Sequence, residues 1–76
     1  MSQRLPALTP AKVRRALERA GFFVHHVKGS HYILKHPDRP ELRITLPFHG
    51  GDLKRRTLMS IVDQSGLSLD DFLELL

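Results

Sequence analysis

At 76 residues with a formal net charge of +4, the chain has room for a single small domain spanning residues 1–76, of a size that buries only about 60% of its unfolded surface. It contains no cysteine, which removes disulfides and thiolate metal sites and fits a reducing compartment. Residues 1–20 lack the apolar stretch of a signal peptide and no apolar run approaches membrane-spanning length, so the reading is a soluble cytoplasmic protein with no membrane partner.

Thr9-Pro10 opens a helix, with threonine as N-cap and proline in the first turn, where its missing N–H costs nothing. Leu8 and Val13 have the spacing of a hydrophobic staple. Val13, Ala16, Leu17 and Ala20 recur on one helical face, and Gly21 stands where a C′ glycine belongs. Lys12, Arg15 and Arg19 form a basic stripe on the other side, which reads first as a solvated face.

Three β segments follow. Phe22 to Val27 is rich in aromatic and branched residues, and His31 to Lys35 resumes after a Gly-Ser turn. Pro37-Asp38-Arg39-Pro40 makes a reversal. Leu42, Ile44 and Leu46 alternate with Arg43 and Thr45, the pattern of a half-buried strand that Pro47 ends. The middle strand is ambiguous: Ile33 and Leu34 are both apolar and point to opposite faces, which leaves open the face that carries His31.

The last third returns to helix. Leu58, Ile61, Val62 and Ser65 share a face and Gly66 closes it. Ser68 with Asp71 resembles a capping box, Leu67 with Phe72 a staple, and Phe72, Leu75 and Leu76 are expected to dock on the domain. The order is α-β-β-β-α-α, an α+β fold with its helices on one face of a three-stranded antiparallel sheet.

Charge divides along the chain. All 12 Lys and Arg lie between Arg4 and Arg56, whereas Thr57 to Leu76 holds Asp63, Asp70, Asp71 and Glu74 and no base. A basic body with an acidic end points to a polyanionic partner. Within the basic body, Lys28-Gly29-Ser30-His31-Tyr32 carries the most chemistry. The Gly-Ser turn permits close backbone approach, and the histidine at the strand mouth has a lysine beside it to attract phosphate.

The other histidines carry less. His25 and His26 are adjacent in a strand, so their side chains are expected on opposite faces and not as one close pair. His36 precedes Pro37 at a strand end, and His49 lies in the Phe48–Gly51 loop. Their spacing matches no metal-binding pattern, and no metal or cofactor is implied. Gly50-Gly51-Asp52-Leu53-Lys54-Arg55-Arg56 lacks the spacing of a nucleoside-triphosphate loop. Lys54, Arg55 and Arg56 just before a helix nevertheless suit phosphate-backbone contact. Tyr32 and Phe48 are of a type that stacks on unpaired bases, with packing the preferred reading.

Helix, Gly-Phe, strand, Lys28-Gly29-Ser30-His31, strand and His36-Pro37 appear in that order. Pro47-x-His49-x-x-x-Leu53-Lys54, Thr57-Leu58-x-x-Ile61 and Gly66-Leu67-Ser68 then follow. Together they resemble the HicA toxins, mRNA interferases of HicA–HicB toxin–antitoxin pairs, over about Thr9 to Leu76. The resemblance implies a double-stranded-RNA-binding-domain-like fold, ribonuclease activity, a HicB-type antitoxin partner and His31 as the residue tied to catalysis. Tyr32 stands where a second histidine is common in the family, and Arg56 where glycine often precedes the threonine.

Cleavage of RNA needs no protein nucleophile, because the 2′-OH attacks. It needs a proton acceptor, a proton donor and positive charge around the phosphate. The resulting expectation is a metal-independent endoribonuclease with His31 as general acid/base. Lys28, Gly29, Ser30, Lys35, Lys54, Arg55 and Arg56 would hold RNA. The alternative is a non-catalytic RNA-binding module of the same topology. The residues show no second proton-transfer group.

Overall fold

The computed structural model describes residues 5–76; Arg4, counted in the charge division above, lies outside them. The order is α1 (Pro10–Arg19), β1 (Phe23–Lys28), β2 (His31–His36), β3 (Arg39–Pro47), α2 (Arg55–Ser65) and α3 (Leu69–Glu74). The strands form one antiparallel sheet in the order β1-β2-β3. This is the expected α-β-β-β-α-α arrangement, an α+β fold of the double-stranded-RNA-binding-domain-like kind.

The helix ends form for the reasons their residues suggest. The Thr9 hydroxyl accepts a hydrogen bond from the Lys12 N–H at 3.3 Å. At the other end of α1 the Gly21 N–H donates to the Glu18 carbonyl and the Phe22 N–H to the Leu17 carbonyl, both at 3.0 Å. That pair of bonds is a Schellman cap, and it requires the left-handed backbone that Gly21 adopts at φ 99°. Gly66 closes α2 at φ 74°, and Ser68 caps α3 by accepting from the Asp71 N–H at 3.1 Å.

One sheet face carries the core. Val24, Tyr32, Leu34, Leu42, Ile44 and Leu46 meet Val13, Ala16 and Leu17 of α1, Leu58, Ile61 and Val62 of α2, and Phe72 of α3. Leu8, Phe22 and Leu53 close its margins. Ser65, the polar member of the buried set, donates to the Val62 carbonyl at 2.6 Å and accepts from the Leu67 N–H at 3.1 Å, so its hydroxyl is fully used. Leu75 is half-buried, but Leu76, expected to dock, remains 45% exposed.

The exposed edge of β3 is partly covered. The Gln64 carboxamide oxygen on α2 accepts from the Thr45 N–H at 2.8 Å while its nitrogen donates to Ser60. This satisfies an edge donor that would otherwise invite another strand. At the β2–β3 turn, Arg39 bonds Glu41 at 2.6 Å. That bond, followed by Glu41's backbone hydrogen bond, holds the Glu41 carboxyl below its ordinary value.

His36 locks α1 to the sheet. Its Nδ1 accepts from the Asp38 N–H at 3.1 Å, which puts the ring proton on Nε2, and Nε2 lies 3.0 Å from the Ala20 carbonyl to which it donates. A Cβ at Gly21 would sit 2.6 Å from that nitrogen. Gly21→Ala therefore combines a left-handed conformation, costing about 1–3 kcal/mol on its own, with displacement of His36. Gly29→Ala, at φ 60° with no atom within 4 Å of the added carbon, carries the conformational cost alone. Thermal unfolding should show a clearly larger drop for Gly21→Ala, and equal drops would contradict the lock.

Candidate active site

Lys28 and His31 are direct cross-strand partners that close a two-residue hairpin. Gly29 has φ 60°, and Ser30 has negative φ because no residue other than glycine is positive. This is the type II′ pattern, whose twist suits the flanking strands and which places glycine first. His31 also faces Pro47 of β3. Along β2, His31, Ile33 and Lys35 alternate with Tyr32, Leu34 and His36. The second set faces the core, so His31 lies on the sheet face that the helices leave open, and it is exposed.

The hairpin is tied to the segment after β3. The Ser30 carbonyl accepts from the Phe48 N–H at 2.7 Å. The Phe48 ring stacks on Tyr32 with centroids 4.3 Å apart and 18° between planes. The Arg14 guanidinium carbon lies 5.7 Å from the Tyr32 centroid, so the stack is bounded by a cation on the helix side. Tyr32 and Phe48 thus pack on each other, and both are half-buried.

Phe48 leads into exposed His49, whose Nδ1 is 2.9 Å from the Gly50 carbonyl, and then to the N-terminus of α2. There the Leu53 N–H donates to the Leu8 carbonyl at 2.8 Å, next to the start of α1. The β1–β2 hairpin and the N-termini of α1 and α2 consequently share one end of the domain. Lys54 occupies the N-cap of α2 and makes no side-chain cap, and Lys54, Arg55 and Arg56 are all exposed. The fold thereby brings Lys28, Gly29, Ser30 and His31 to the same end as Lys54, Arg55 and Arg56. Lys35 is set apart from them: four residues along β2 it lies roughly 13 Å from His31, level with Phe23 and Arg43.

The expectation for His25 and His26 is overturned. Val24 pairs with Leu34 and His26 with Ile33, so His25 is the extra residue of a β-bulge. The bulge breaks the strict alternation that would put the two rings on opposite faces. Their Nδ1 atoms are 2.8 Å apart, with ring planes at 80°. Val24 and Val27 are three residues apart whereas their partners Leu34 and Tyr32 are two apart, so the bulge shows in the strand pairing and not in the residue types.

Lys28 and Lys35, with Arg43 across from Lys35, make the open face around His31 cationic along its length. Among the described residues, no three His, Asp or Glu side chains converge as metal ligands. A cavity of about 410 Å³ lined by Pro6–Leu8, Lys12, Arg15, Arg19 and Leu76 sits over α1, on the helical side and apart from His31. Arg19 there donates to the Leu75 carbonyl, pinning the chain's end to α1. No helix among the described residues is long and apolar enough to cross a membrane.

A comparison with curated proteins found no match. The family model described as the HicA toxin of bacterial toxin-antitoxin matches residues 10–67, which run from the first residue of α1 past the cap of α2 and include the Lys28–His31 hairpin and the loop to Lys54. Because that match covers well over half of the chain, the chain belongs to the HicA family of toxins from bacterial toxin–antitoxin systems.

Proposed function

We propose that this toxin is an endoribonuclease that cuts mRNA in the cytoplasm and so arrests translation, with His31 as a general acid/base and no metal in the reaction. One observation carries the reading: an exposed imidazole directly opposite Lys28, on a cationic sheet face that no helix covers. The 2′-OH is the nucleophile. An imidazole suits proton transfer near neutrality, and Lys28 offsets charge developing on the phosphoryl oxygens. The Gly29-Ser30 turn lets the RNA backbone approach closely. Lys54, Arg55 and Arg56 hold phosphates at the same end, while Lys35 meets the strand further along the open face.

The wild-type protein is expected to cleave RNA in excess EDTA and to leave 2′,3′-cyclic phosphate ends. Binding without cleavage would instead identify a non-catalytic RNA-binding module. Replacing Lys54, Arg55 and Arg56 together by alanine should flatten the salt dependence of RNA binding by about 0.7 per lost single-strand contact in log–log slope. An unchanged slope would remove these three from the interface. A toxin of this family has an antitoxin partner. A HicB-type protein with an acidic surface, seated over the basic end, would associate fast and cover His31.

A further inference from the structure

His31 lacks an evident partner for the second proton transfer, and the bulge in β1 supplies one. His26 pairs with Ile33, and His31 lies two residues from Ile33 on the same strand. His26 and His31 are therefore diagonal neighbours on one sheet face, a relation that sets two residues about 7–8 Å apart and their Cβ atoms somewhat closer. Ile33 gives an independent sign that the side chains around it lie together. It is only 4% exposed although it stands on the open face and outside the helix-packed core. The register surrounds it with His26, His31, Lys35 and Thr45. Two exposed imidazoles thus flank one apolar floor, with Lys28 between them in the strand pairing.

We infer that His26 is the second acid/base residue of the cleavage site, oriented by His25; this rests on the ribonuclease reading above. The 2.8 Å contact between Nδ1 atoms occupies one nitrogen of each ring. His26 is left with Nε2 for substrate, and the crossed ring planes fix the direction of that atom. In the reaction His31 takes the proton of the 2′-OH as its oxygen bonds to phosphorus. His26, doubly protonated, gives its Nε2 proton to the 5′-oxygen as the P–O5′ bond breaks. The products are a 2′,3′-cyclic phosphate and a 5′-hydroxyl, and the exchange of one proton leaves the protein with the same total. The titratable and charged groups sharing this face with His26 are His25 and Lys28 on β1, His31 and Lys35 on β2, and Arg43 on β3.

The test compares two substrates cut by His26→Ala: an RNA oligonucleotide, and the same RNA with sulfur in place of the 5′-oxygen at the cleaved position. A thiolate leaves without a proton. The expected result is a 10²–10⁴-fold loss on the oxygen substrate, near-wild-type cleavage of the sulfur substrate, and loss of one limb of the pH–rate profile. His25→Ala should give a smaller loss of the same kind, because it removes only the orientation. Unchanged oxygen-substrate cleavage by His26→Ala, or equal losses on both substrates, would overturn the assignment. Failure of the wild-type protein to cleave either substrate would instead remove the ribonuclease reading itself. Circular dichroism of His26→Ala should match wild type, since the side chain is exposed.

Discussion

His31→Ala is expected to lower RNA cleavage by about 10²–10⁴-fold, the range for loss of one general acid/base group, with the fold untouched. The side chain is exposed, and the backbone of His31 pairs with Lys28 and Pro47 whatever its side chain. Surface substitutions of this kind usually change stability by no more than about 0.5 kcal/mol. RNA affinity should also change little, because Lys28, Lys54, Arg55 and Arg56 remain. The informative measurement is single-turnover cleavage beside a binding titration on the same RNA. A fall in cleavage with binding preserved is the signature of chemistry. A parallel fall in both would demote His31 to a contact residue, and cleavage within a few-fold of wild type would remove it from the mechanism. Growth arrest on expression should disappear in step with cleavage.

Much of this site was legible because its geometry is local. Thr9, Gly21, Gly66 and Ser68 act through bonds to residues within five positions, so the helix ends could be read from residue types. The alternation in β3 was equally plain, since Ile44 and Leu46 are buried and Arg43 and Thr45 exposed. What escaped depends on pairing across strands. Ile33 blurred β2 because it is buried as the floor of the open face and not as core, and only register shows that His31 shares its side. The β1 bulge, which turns His25 and His26 into a close pair, changes the parity of a strand without changing its composition. His36 escaped for a similar reason: its partner at Ala20 is sixteen residues away and on another element.

The matched family region ends at residue 67, yet the helix beyond it is part of the core. Phe72 is completely buried and packs in the cluster that joins α1, α2 and the sheet. Phe72→Ala should therefore cost about 3–5 kcal/mol, the range for emptying a buried phenylalanine site. A domain of this length has roughly 4–11 kcal/mol in all, so the single change removes a large share of it. The cost should be near the upper end. Phe72 projects from a helix of six residues, too short to hold itself and thus prone to come off once its anchor is gone. Leu76→Ala is the matched control, since that side chain is 45% exposed and should change stability by less than about 0.5 kcal/mol. Urea titration at 25 °C separates the cases through the midpoint. A Phe72→Ala loss below about 1 kcal/mol would show α3 to be an appendage. The expected loss would mean that cutting the chain at the end of the matched region abolishes a folded toxin, and with it the geometry that holds His31 opposite Lys28.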